Sequence, residues 1–134
     1  MITYREGYKY QLVKPYTHLL KTAIRPAAFV NAGFLRLDTG GELYIIGGYA
    51  WDGPSGPAFD TPSFMRASLV HDALYQLMRE GHLPLSWRDE ADEEMRFVCL
   101  EAGMWSLRAA WCYQAVRSFG GPAASVPDPV LTAP

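Results

Sequence analysis

His71 and Asp72 stand side by side at the middle of a stretch, Phe64–Arg79, whose apolar residues recur at helical spacing, and Tyr75 follows one turn later. A histidine can take a proton from water near neutral pH when its second ring nitrogen is held by a partner. A carboxylate on a neighbouring helix would serve, and Asp92 is the natural candidate, with Asp89 the alternative. A helix slipped by one residue would offer Glu93 instead. Tyr75 could donate its hydroxyl to the same carboxylate. Asp72 turns to a different side, where it could hold a hard cation through oxygen. The bland alternative is a satisfied, semi-buried histidine beside an acid that only accepts a local hydrogen bond.

The segment ahead of this helix adds oxygen donors. Asp52-Gly53-Pro54-Ser55-Gly56-Pro57 is a run of turn-formers whose carbonyls could converge, and Asp52 could add a carboxylate. A calcium ion wants six to eight oxygens and accepts backbone carbonyls among them. Tight-turn chemistry alone would also explain the glycines and prolines.

These elements need a frame. Residues 4–20 alternate imperfectly between aromatic or aliphatic and polar side chains, predicting one or two short strands, with Pro15 favouring a sheet edge. Phe29–Leu37 is β-like and broken at Asn31-Ala32-Gly33; Asp38-Thr39-Gly40-Gly41 is a turn; Glu42–Gly47 is a short buried strand. Thr61 is a plausible N-cap with Pro62 at the first helical position, and Gly81 suits a left-handed stop. A second helix is expected over about 89–102, capped by Ser86 or Asp89 and ended at Gly103. A third covers about 106–119, packing Leu107, Ala110, Trp111 and Ala115 or Val116. The expectation is one α+β domain over residues 1–120: a small N-terminal antiparallel sheet at about 4–47, a loop at 47–61, and a bundle of about three helices starting near 62. Residues 121–134 are Pro/Ala-rich without an apolar period and read as disordered.

Composition narrows the function classes. A net charge of −2 provides no basic field for nucleic acid. The first residues hold no apolar signal core and no run approaches a membrane span, so the expected location is the cytoplasm or a virion. Cys99 and Cys112 fall among apolar helical residues and read as buried free thiols rather than nucleophiles or zinc ligands. A metal phosphohydrolase built on a His-Asp doublet would need further ligands, and His18 and His82 lie in strand-like and loop segments. Gly53-Pro54-Ser55-Gly56-Pro57 lacks the strand–elbow–helix setting of a serine hydrolase. The helix arginines read as solvated faces or as partners of the acidic run Asp89–Glu94. Of the tryptophans, Trp111 reads as core.

A Gly-rich loop followed by a His-Asp-x-x-Tyr helix and an Asp on the next helix resembles the phospholipase A2 superfamily. That resemblance implies His71 as base, Asp72 as calcium ligand, Tyr75 as supporting hydroxyl and Asp92 as orienting acid. At that family's loop-to-helix offset, the loop carbonyls fall on Trp51, Gly53 and Ser55. The last helix, Trp111–Gly120, resembles that of the prokaryotic branch. The cysteines that flank the helix in the secreted enzymes are absent, Leu74 standing where one would pair, and a sheet-like segment precedes the loop. Over most of residues 8–120 the chain is similar to a phage and prophage family of unknown function, in its Asp-Gly-x-Ser loop, His-Asp-x-x-Tyr helix and Ala-Asp helix. The resemblances imply a phage-associated, calcium-dependent ester hydrolase acting on a phospholipid at a membrane interface. The alternative is a non-enzymatic virion, tail-associated or host-interaction protein that binds a phage or host protein and keeps the helix pair as scaffold.

Overall fold

A computed structural model describes residues 2–4, 10–51, 62–119 and 131–133. The expected loop residues Asp52, Gly53 and Ser55 therefore lie outside the described residues. The chain is α+β, a small antiparallel sheet region followed by three helices.

Strands β1 (Ile2–Tyr4), β2 (Tyr10–Gln11) and β3 (Tyr16–Leu19) are followed by β4 (Val30–Asn31), β5 (Leu35–Leu37), β6 (Glu42–Ile45) and β7 (Ala50–Trp51). Four of them form one sheet in the order β3-β6-β5-β4, every neighbour antiparallel, and β2 pairs with β7 as a separate ribbon. Pro15 immediately precedes the edge strand β3, a place where its missing N–H costs no central ladder bond. The β5–β6 turn closes because the Asp38 carboxylate accepts from the N–H groups of Gly40 and Glu42. It also needs Gly41 at φ +86°, where any Cβ would run into the Arg25 guanidinium. Period-two alternation then puts Leu35, Leu37, Leu43 and Ile45 on the buried face.

Helix α1 (Pro62–Arg79) covers that face, joining Val70, Ala73, Leu74 and Leu77 to the sheet residues in one core. It ends where Gly81, at φ +80°, lets His82 N–H reach back to the Leu77 carbonyl. A 3-10 turn, Leu85–Trp87, leads into α2 (Arg88–Glu101). Neither Ser86 nor Asp89 caps α2: the cap position is Trp87 and no side chain bonds the free N–H groups there. The short 3-10 turn delivers the chain directly into the helix, and Asp89 and Glu90 in the first turn complement its dipole.

Helix α3 (Ser106–Phe119) corrects a second expectation. Leu107 and Trp111, expected in the core, are 83% and 54% exposed. The face that packs on α2 holds Ala109 and Cys112, with Tyr113 and Val116 beside them. Small residues let the two helix backbones approach closely, so the bulkier stripe is left outside. The thiols of Cys99 and Cys112 are free and buried in this second core. Leu131–Ala133 forms β8, antiparallel to β1, in a stretch read from sequence as without order.

Candidate active site

The α1 and α2 helices run antiparallel, as their partners show. Arg88 meets Tyr75, Asp92 meets His71, and Met95 and Cys99 pack with Ala67 and Phe64. The first two of these pairings set the start of α2 against the His-Asp-x-x-Tyr segment. Nε2 of His71 lies 2.7 Å from Oδ1 of Asp92, and the Tyr75 hydroxyl lies 2.6 Å from the same oxygen. The other carboxylate oxygen accepts from Nη1 of Arg117 at 3.1 Å. Asp92 is fully buried, so three donors around it satisfy a charge that would otherwise be costly.

The proton positions follow from chemistry. Arg88 Nε lies 3.1 Å from the Tyr75 oxygen and can only donate. The Tyr75 proton is therefore directed to Asp92. A carboxylate held by a tyrosine and an arginine stays ionised and accepts from His71 Nε2–H. Burial alone would raise the Asp92 pKa, but hydrogen bonds from His71, Tyr75 and Arg117 outweigh it and hold it below the ordinary carboxylate range. Burial works against a charged His71, yet the adjacent carboxylates of Asp72 and Asp92 outweigh it and raise its pKa above the usual 6.5. Tyr75 is pushed above its ordinary value by burial and by Asp92. The rings of His71 and Tyr75 pack at 4.1 Å between centroids, which fixes the imidazole plane.

With Nε2 protonated, the lone pair of the neutral ring lies on Nδ1. Oδ1 of Asp72 is 3.8 Å from that nitrogen, and the Asp72 side chain is about one-third exposed. His71 thus stands between the buried Asp92 carboxylate on its Nε2 side and the partly exposed Asp72 carboxylate on its Nδ1 side. Trp51 ends β7, and its indole N–H donates to Ser68 Oγ at 3.0 Å. Among the described residues, no three His, Cys, Asp or Glu side chains cluster closely enough to hold a metal. The Asp72 carboxylate is a hard oxygen donor, and a calcium ion there would need several further oxygen ligands.

The alternative orienting acids are engaged otherwise. Asp89 accepts from the Tyr113 hydroxyl and faces Arg117 at 3.7 Å. Glu93 pairs with Arg96 one turn on. His82 is at the surface beside Glu80. Burial pushes the Cys99 thiol up to about 12 and raises Cys112 as well, so neither is an activated nucleophile.

One pair was missed from the sequence. Glu94 is fully buried, and its Oε2 lies 2.8 Å from Nε2 of His18 on β3. Its Oε1 accepts from the N–H groups of Lys21 and Thr22 and from the Thr22 hydroxyl. Burial would raise the Glu94 pKa, but His18 and then Thr22 hold it below its ordinary value. Two residues apart, Asp92 and Glu94 project about 200° from each other around α2, so one helix carries a carboxylate–histidine pair on each side. Spacing signalled the burial of Glu94 but not its partner: it is three residues from Ala91 and four from Val98, within the apolar stripe.

Compared with known proteins, the chain matches no family model, no curated protein and no solved structure. Among the described residues, no helix is long and apolar enough to cross a membrane.

Proposed function

We propose that the chain is a phospholipase A2-like ester hydrolase in which His71 is the general base. The observation that carries this reading is the 2.7 Å contact between His71 Nε2 and an ionised, buried Asp92 that also takes the Tyr75 hydroxyl. That arrangement selects the tautomer with a free Nδ1 and stabilises the imidazolium formed when Nδ1 takes a proton from water. The resulting hydroxide-like oxygen attacks an ester carbonyl, and the imidazolium then returns the proton to the departing alkoxide. Asp72, with Asp52 and the carbonyls of Trp51, Gly53 and Ser55, would hold calcium. A bound calcium ion supplies electrophilic stabilisation of the developing oxyanion and a counter-charge for a phosphate. The phospholipid substrate and the phage association come from the resemblance in the sequence. The test is fatty-acid release from phospholipid vesicles by wild type, in millimolar calcium and then in excess chelator. Calcium-dependent release supports the reading, and no release in either condition rejects it.

A second reading has one observation in its favour. Trp105 and Leu107, at the start of α3, are 84% and 83% exposed, and Trp111 is 54% exposed. Large apolar side chains presented together at a helix end suit a contact with a phage or host protein. On that reading the histidine–carboxylate pairs are scaffold. Binding partners lost on Trp105→Ala with no ester turnover in wild type would favour it.

A further inference from the structure

On α1, 3.6 residues per turn place Leu69 about 160° and Met65 about 120° round the helix from His71. These two side chains face away from the proposed hydrolytic centre and form one wall of a groove of about 480 Å³. Val13 and Trp51 also line it. The volume is within the range of small-molecule sites. Its described lining is apolar except for Lys14, Arg66 and the Tyr16 hydroxyl, and it contains two cations and no acid.

The polar end is built rather than incidental. Nη1 of Arg66 lies 3.3 Å from the Tyr16 oxygen, which is itself 3.3 Å from Nδ1 of His18. The other nitrogen of His18 is fixed by the buried Glu94. A chain of hydrogen bonds thus runs from the interior of α2 to the groove and orients the Arg66 guanidinium beside it. The competing acid is Glu101, but it lies 3.9 Å from Arg66 and is held at 2.8 Å by Lys21. Lys14, which also lines the groove, is exposed. An apolar slot with two cations complements one ligand chemistry, a single hydrocarbon chain ending in an anion.

We propose that this groove binds a single-chain anionic amphiphile of the fatty-acid class, its tail along Val13, Met65 and Leu69 and its carboxylate between Lys14 and Arg66. The proposal does not rest on the hydrolytic reading, although Trp51 lines the groove and is also named there for its carbonyl. It is tested by calorimetric titration of the full chain with dodecanoate below its micelle concentration, beside dodecyltrimethylammonium, which has the same tail and the opposite charge. Dodecanoate should bind, and the cationic amphiphile should bind at least about tenfold more weakly. Lys14→Glu and Val13→Asp, both at exposed positions, should each weaken dodecanoate at least about tenfold without moving the melting temperature. His71→Ala should bind it as wild type does.

Any one of six results would overturn the proposal. Absence of dodecanoate binding is the first, and equal affinity for both amphiphiles, meaning a merely apolar surface, is the second. Binding undiminished in Lys14→Glu, or lost in His71→Ala, would put the ligand elsewhere. Finally, association only with phosphatidylglycerol vesicles would make this a membrane face, and a dimer in sedimentation that dodecanoate fails to dissociate would assign the groove to a second copy.

Discussion

His71 Nε2 and Asp92 Oδ1 are 2.7 Å apart, although 21 residues separate them in the chain. The contact exists because Gly81 stops α1, the chain turns back through Leu85–Trp87, and α2 returns with its fifth residue level with His71. The buried carboxylate is held from three sides, by a histidine, a tyrosine and an arginine drawn from α1 and α3.

Asp92→Asn should destabilise the fold strongly. It removes the charge that three donors face, and an amide cannot accept from all of them. Breaking one partner out of a buried charged network costs about 3–5 kcal/mol. Urea denaturation should show a lower midpoint of that order. A loss below about 1 kcal/mol, the level of an exposed pair, would contradict the geometry.

Tyr75→Phe should cost less, about 1–2 kcal/mol, because one hydrogen bond to Asp92 is lost and Arg88 Nε loses its acceptor. Arg88 still bonds the carbonyls of Val116 and Arg117, so α3 should stay docked. Thermal melts with equal helical signal in both proteins would check this, and a loss of helix content in Tyr75→Phe would refute it.

Glu94 predicts the acid limb of stability. Its pKa is lower in the folded chain than the ordinary 4.5, so the folded state favours the charged form. That stabilisation is present above the unfolded value and is lost as pH falls through the folded value. Wild type should therefore lose melting temperature below about pH 4.5. Glu94→Gln should start lower and show a flatter acid limb, while exposed-side Glu93→Gln should track wild type. Parallel acid limbs in wild type and Glu94→Gln would exclude Glu94 as a source of the effect.

Calcium should raise the melting temperature. At about a hundred times its dissociation constant, an ion that binds only the folded chain adds about 2.7 kcal/mol, a shift of several degrees for a domain of this size. Asp72→Asn, at a partly exposed side chain, should melt like wild type without calcium and lose the shift. No calcium-specific shift in wild type, or the same shift in the variant, would leave Asp72 without a role as ligand.

The parts of this account legible in sequence were those governed by local chemistry. Glycine at φ +80° after α1, the Asp38 turn and the short strand after it, Glu42–Ile45, each follow from a residue and its near neighbours. Asp92 was readable as a candidate because a short connection brings the next helix back antiparallel, but its register against Asp89 and Glu93 was left to packing. Helix α3 was misread because bulk suggested Leu107 and Trp111 for the core, where the close approach of α2 favours Ala109 and Cys112. His18 and Glu94 were missed for a different reason. Their pairing joins β3 to α2 across 76 residues, and no local pattern encodes a contact of that range.

Replacement of His71 by alanine, measured as fatty-acid release from phospholipid vesicles in calcium beside wild type, tests the central claim most directly. The account predicts active wild type and a folded His71→Ala protein slower by a factor of about 10²–10⁴, the usual contribution of a general base. Equal rates in the two proteins, with folding intact, would contradict it.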